Sequence, residues 1–429
     1  MGSLLTWVWE RGWSLCFWIC FWHGIVVVKQ AEPRILCKKA AQEDFAMAYD
    51  ADTTQDLVDV VARFVREQLR PLERQVAEDD AVPEAIIEQM KALGLFGLTI
   101  PEAYGGLDLS MEAECRVAFE LGRTSPAFRS CFGTNVGIGA QGLVMFGTPE
   151  QKARYLPGIA SGDIITSFCL TEAEAGSDSA AVQTLAILDG DHYVLNGSKR
   201  YITNANKAGL FTVMARTDPK LAGARGVSAF LVERGLAGVS IGSPEKKMGQ
   251  QGAHICEVFF DNVRVPVQNL LGGEGEGFKV AMQVLDRGRL HIASVCVGVA
   301  ERLIADSLAY AMERKQFGKP IAEHQLVQAM LADCQTEAYA ARCMVLDAAR
   351  LRDTGAKIVM EAAAAKYFAS EMVGRVADKA VQIFGGAGYV ADYGIERFYR
   401  DVRIFRIYEG TSQIQQLVIA REMMKAART

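Results

Sequence analysis

Three stretches near the C-terminal end, 281–313, 325–352 and 357–384, are long and rich in good helix formers. Helices of that length bury their apolar sides against one another, so they predict a bundle. The character upstream is different. From Asp163 short β-rich runs follow one another: 164–170, 183–188, 193–195, 211–216, 227–232 and 256–265. Asp189-Gly190-Asp191 sits between two of them as a hairpin turn. Pro266 and the glycine-rich run 272–277 close this region, which reads as a small barrel or sandwich. Before it the period is helical again. Leu57, Val60, Val61, Phe64, Val65, Leu69 and Leu72 make one face over 55–72. Helices are predicted over 84–93, 111–121 and 149–155, with 101–106 as a loop. The expected fold is mainly α with a central β domain. Its parts are an N-terminal helical domain over 47–162, a β-barrel or sandwich over 163–275, and a C-terminal four-helix bundle over 276–429.

The first 46 residues stand apart. Trp7, Trp9, Trp13, Trp18 and Trp22 are all five tryptophans of the chain. Trp13 to Val28 is apolar apart from Ser14 and His23, yet shorter than the roughly 20 residues a membrane span needs. A signal-like segment or an anchor are the competing readings, and neither shows a small-residue cleavage site. The expectation is that 1–46 is an extension outside the native coding sequence and that Met47 is the natural start. Any membrane contact would run through 1–46; the rest is expected to be cytoplasmic.

The net charge of -5 argues against nucleic acid as a partner. Ten cysteines without a Cys-x-x-Cys pair, and five scattered histidines, predict reduced thiols and no metal site. Arg397, Arg400, Arg403 and Arg406, three apart, make a helical stripe expected to pair with acidic neighbours or to contact a subunit.

Two segments carry chemistry. In Arg406-Ile407-Tyr408-Glu409-Gly410-Thr411-Ser412-Gln413-Ile414-Gln415 a carboxylate sits beside a glycine and two hydroxyl residues. Glu409 there could remove a proton; equally, Thr411 or Ser412 could cap a helix, and one loop can do both. The second segment runs from Phe168 to Asp178 (Phe-Cys-Leu-Thr-Glu-Ala-Glu-Ala-Gly-Ser-Asp), followed by Asn196 to Asn204. Gly386-Ala387-Gly388-Tyr389-Val390-Ala391 matches a dinucleotide fingerprint but follows a helix rather than a strand, so a nicotinamide site is rejected.

These motifs, in this order, resemble the acyl-CoA dehydrogenase family from about Met47 to the C-terminus. The resemblance implies FAD as cofactor and α,β-dehydrogenation of an acyl-CoA to the trans-2-enoyl-CoA. Glu409 would take the α-proton and flavin N5 the β-hydride. Some relatives carry the base in the segment matching Leu285-Asp286-Arg287-Gly288-Arg289; this chain has Gly288 there, which leaves Glu409 as sole base. Matching positions imply flavin contacts at Phe168, Cys169, Leu170, Thr171, Gly176, Ser177, Tyr201, Ile202 and Thr203. Many relatives have Trp where this chain has Tyr201. Arg314 and Gln325 resemble contacts to the FAD diphosphate. Gln382, Ile383, Phe384, Gly385 and Gly386 resemble a stretch that reaches FAD from a neighbouring subunit, and Thr411 and Gln413 complete the set. Ser177, Asp286, Arg289 and Gly410 match acyl-CoA contacts. The family further implies a homotetramer, an electron-transfer flavoprotein as acceptor, and a place in fatty acid β-oxidation or amino acid catabolism. The acyl chain stays open between short and medium, straight and branched. An oxidase on the same fold and a non-catalytic, membrane-tethered binding protein are the alternatives.

Overall fold

A computed structural model describes residues 51–428. The tryptophan-rich extension lies outside the described residues. Seven helices come first: α1 (Ala51–Phe64), α2 (Glu73–Asp79), α3 (Glu84–Ala92), α4 (Met111–Gly122), α5 (Pro126–Val136), α6 (Gln141–Phe146) and α7 (Pro149–Ser161). Their starts are written locally. Ser110 and Ser125 cap α4 and α5, and Pro126 occupies the first turn of α5. Thr148 and Gln151 form a capping box on α7. Helices α5 and α6 were not expected, because their glycines hide the apolar period.

The middle segment holds β1 (Thr166–Cys169), β2 (Leu185–Asp189), β3 (His192–Thr203), β4 (Leu210–Arg216), β5 (Val227–Glu233), β6 (Val239–Ile241), β7 (Ile255–Pro266) and β8 (Leu270–Leu271). They make one mixed sheet in the order β6-β7-β3-β2-β4-β5-β8, with β1 parallel to β4. Asp189 pairs with His192, so the chain reverses through Gly190-Asp191, inside the Asp189–Asp191 stretch expected as the turn. Both faces of the central strands are buried, and they alternate. Phe168, Leu210, Met214 and Leu231 pack toward the helices, while Cys169, Phe211, Val213 and Phe230 pack into the opposite core. Strand β3 is far longer than the expected 193–195. It continues through Lys199, which is polar in sequence but fully buried here. A register shift lies between Lys199 and Ile202, where Tyr201 takes a left-handed φ of 59°. Such a bulge bends the strand and re-aims its side chains.

The last segment holds α8 (Gly277–Glu313), the short hairpin β9 (Lys315–Gln316) and β10 (Lys319–Pro320), α9 (Gln325–Asp353), α10 (Val359–Phe384), α11 (Gly386–Tyr389), α12 (Ile395–Asp401) and α13 (Ser412–Ala426). Helices α8, α9 and α10 pack on one another, α13 packs on α10, and α4 joins their core. Helix α11 follows α10 directly, with no strand before the Gly386–Ala391 run. The arginine stripe is mostly paired: Arg397 with Glu73, Arg400 with Glu396 and Arg406 with Glu371. Among the described residues no helix is long and apolar enough to cross a membrane.

Candidate active site

A cavity of about 1650 Å³ opens between the sheet, α5, α8 and the loop before α13. Phe168, Leu170, Thr171, Gly176 and Ser177 reach it from the end of β1 and the loop that follows. Tyr201, Ile202 and Thr203 reach it from the bulged end of β3. Asp286 and Arg289 enter from α8, and Glu409, Gly410 and Thr411 from the loop before α13.

Other expected residues lie elsewhere. The Cys169 side chain is fully buried in the opposite face of the sheet, because strand alternation turns it away from its neighbours Phe168 and Leu170. Ile383 and Phe384 are buried at the end of α10. Arg314, Gln325, Gln382, Gly385 and Gly386 are exposed and do not line this cavity. Gln413 borders a smaller recess with Glu371 and Arg406.

The loop after β1 is locked by one buried ion pair. Lys199 Nζ lies 2.6 Å from Glu172 Oε1 and also donates to the Leu170 carbonyl. The same carboxylate accepts from the Gln183 and Thr184 N–H groups and from the Thr184 hydroxyl. Burial alone would raise the Glu172 pKa; Lys199 and these donors outweigh it and hold the group below the usual carboxylate range. The acid in the Leu-Thr-Glu motif therefore fixes the loop, while its neighbour Thr171 faces the cavity.

The Glu409 loop is held from below. Glu409 and Gly410 both take positive φ, 53° and 89°. For a glutamate that conformation costs free energy, so the surroundings must impose it. Gln415 Nε2 donates to both the Glu409 and Gly410 carbonyls, at 3.0 Å each. Lys366 Nζ, fully buried on α10, donates to the Gly410 carbonyl at 2.7 Å. Thr411 caps α13 through the Ile414 N–H, so the loop is a helix start and presents Glu409 as well.

Glu409 Oε2 is buried without a hydrogen-bond partner among the described residues. It occupies the space a side chain at 288 would need: a Cβ built on Gly288 would lie 2.2 Å from that oxygen. Burial raises the Glu409 pKa, and the nearby cations Arg129, Lys366 and Arg289 pull the other way. Desolvation in turn lowers Lys366 to about 8. Arg289 donates to Asp286 at 2.6 Å, so Asp286 orients it at the cavity wall.

A second buried group was not foreseen. Glu114 on α4 accepts from Arg287 at 2.6 Å and contacts His291 Nδ1 at 2.7 Å. Arg129 Nε donates to His291 Nε2 at 2.8 Å. An arginine can only donate, so Nε2 is the acceptor and His291 is neutral with its proton on Nδ1. Burial and the Arg129 charge push the His291 pKa down, in agreement. Glu114 is pushed up by burial, but Arg287 and His291 prevail and hold it at about 2. For Arg129 the available signal was a single cation on a helix of apolar and small residues, 126–136; Lys366 is one of three cations in 359–384 and carried no such signal.

Family models match nearly all the described chain. The N-terminal, middle and C-terminal domains of acyl-CoA dehydrogenase match residues 51–163, 167–263 and 275–424. A probable acyl-CoA dehydrogenase of Bacillus subtilis is 42% identical over 380 residues, covering 88% of this chain and all of that protein. The structure of butyryl-CoA dehydrogenase from Megasphaera elsdenii superposes with a TM-score of 0.84 at 35% identity, over 89% of this chain and 100% of that one. A structure described as the electron transferring flavoprotein of Acidaminococcus fermentans matches with a TM-score of 0.84 at 40% identity, over 89% and 99% of the two chains.

Proposed function

We propose specific roles for the residues of this chain, which belongs to the acyl-CoA dehydrogenase family. The protein is an FAD-dependent oxidoreductase acting on acyl-CoA. The cavity suits such ligands. Eight Lys and Arg side chains line it against five carboxylates, an excess of positive charge fit for the diphosphates of FAD and CoA. The half-exposed Tyr201 ring, with the Arg200 guanidinium 5.0 Å from its centroid, offers a flat surface at the end of β3.

Glu409 is the base that removes the α-proton of a short- to medium-chain, straight or branched acyl-CoA. The observation that carries this is its unpartnered Oε2, buried at the cavity wall where Gly288 leaves room. FAD, when bound, accepts the β-hydride, so the products are a trans-2-enoyl thioester and the reduced cofactor. The Glu409 N–H, which donates to no acceptor among the described residues, is free to stabilise the developing enolate oxygen. Thr171, Ser177 and Tyr201–Thr203 support the flavin, and Arg289 the acyl-CoA. The exposed Arg314, Gln325, Gln382, Gly385 and Gly386 serve FAD across a subunit boundary of a homotetramer. Electrons leave to an electron-transfer flavoprotein, a reading supported by the Acidaminococcus neighbour.

The test is anaerobic titration of the purified flavoprotein with a panel of acyl-CoAs. Bleaching of the oxidised flavin band is expected for one chain class; bleaching by none rejects the reading. Slow reoxidation in air, with rapid transfer to the electron-transfer flavoprotein, is expected; fast reoxidation by oxygen would mark an oxidase.

A base must be deprotonated to act, so activity is lost as pH falls through the Glu409 pKa. That acid limb of kcat/KM is expected above the usual carboxylate range. Lys366→Met removes a cation that lowers this pKa, so the limb moves to higher pH. An unshifted limb would show that Lys366 acts only by holding the loop.

A further inference from the structure

We infer that the acyl part of the cavity takes a chain ending in an anion: a dicarboxylic acid joined to CoA through one carboxyl, its free carboxylate held by Arg129. This rests on the acyl-CoA dehydrogenase reading and names the substrate class of the same site.

Arg129 lines the cavity on α5, and it is the foremost of the cations that lower the Glu409 pKa. Its guanidinium lies over Gly133, one turn further along. A Cβ at Gly133 would be 2.8 Å from Arg129 Cζ, so only glycine leaves the fork in this place. Nε is committed to His291, which Glu114 holds in turn. That chain fixes the plane of the guanidinium. Glu114 is itself taken up by Arg287 and His291. Among the described residues no carboxylate, Glu409 included, lies within ion-pair distance of Arg129, and its two terminal nitrogens form no hydrogen bond. Nearby, the Thr134 hydroxyl accepts from Asn204 and keeps its own proton to donate into the cavity it lines.

A methyl terminus against this fork would strip water from a cation and return nothing. A carboxylate would take two parallel N–H···O bonds, the geometry an oriented guanidinium favours. The site therefore selects by attraction to the anion and by the cost imposed on the alkyl end.

The test uses the FAD-loaded enzyme and chain-matched pairs: glutaryl-CoA against pentanoyl-CoA, and adipyl-CoA against hexanoyl-CoA. Flavin bleaching and steady-state kcat/KM are followed with an artificial electron acceptor. The wild type is expected to favour one anionic member over its alkyl partner by roughly 100-fold. Arg129→Met should abolish that ratio chiefly through KM for the anionic member, with Arg129→Lys between. An alkyl partner used as well as or better than the anionic one in both pairs overturns the anchor and leaves the dehydrogenase reading intact. So does an Arg129→Met enzyme that binds flavin but loses both members of a pair equally. Bleaching by neither pair, with bleaching by another acyl-CoA of the panel, overturns the anchor alone; bleaching by no acyl-CoA at all overturns both readings.

Discussion

Glu409→Gln is expected to lower kcat by roughly 10³-fold or more while FAD stays bound, at the upper part of the range for losing a positioned general base. The amide keeps the size of the side chain and the positive-φ backbone, but it cannot take the α-proton. The loop keeps its supports, because Gln415 and Lys366 bind the carbonyls of 409 and 410 rather than the carboxylate. Retention of the flavin spectrum with loss of bleaching by the best acyl-CoA is the expected pair of readings. Near-normal bleaching would remove Glu409 from the mechanism. The contact with Gly288 adds a sharper form of the experiment. A side chain at 288 enters the volume of Glu409 Oε2, so Gly288→Ala alone should displace the carboxylate and cost activity. In Glu409→Gly/Gly288→Glu the new carboxylate would reach the same space from α8. Recovery of bleaching above the Glu409→Gly background is expected. No recovery would mean that the direction of approach, and not only the position of the oxygen, decides proton transfer.

Lys199→Met should cost about 3–5 kcal/mol of stability, the usual penalty for leaving one partner of a buried ion pair uncompensated. Glu172 would keep its Gln183 and Thr184 donors but lose the only cation it pairs with among the described residues. The effect has a defined pH course. In the wild type the folded pKa of Glu172 lies below its unfolded value of about 4.3, so the pair's contribution is full above that pH and fades as pH falls through the lower, folded pKa. In Lys199→Met burial is no longer opposed by the cation and the folded pKa rises. The deficit should then grow as pH climbs above about 4.3 and be smallest in acid. Urea unfolding across pH checks this, and Lys199→Met/Glu172→Gln should regain part of the loss. A pH-independent deficit would assign the effect to packing of the lysine stem. Because the pair fixes the loop bearing Thr171 and Ser177, the variant should also hold FAD less firmly.

Much of this protein is determined by sequence alone. The order of helical segment, sheet and helical segment follows from local periodicity, as do the turn between β2 and β3 and the long helices α8, α9 and α10. The Leu-Thr-Glu and Glu-Gly-Thr-Ser runs were legible because a loop that meets a ligand is built from neighbours in the chain.

Only the tertiary structure decided the rest. Lys199 gives no sign of a buried strand position until Glu172, 27 residues away, pairs with it inside the sheet. The α5–α6 region hides its helices behind glycines whose use, as at Gly133, depends on what packs against them. The setting of Glu409 depends on a glycine on α8 and a lysine on α10, and that of Arg129 on a histidine 162 residues on and, behind it, a glutamate on α4. Periodicity tells which side of an element is buried. It does not tell which distant charge will lie opposite, and in a low-dielectric interior that pairing decides whether a group is a structural tie, a base or a ligand anchor.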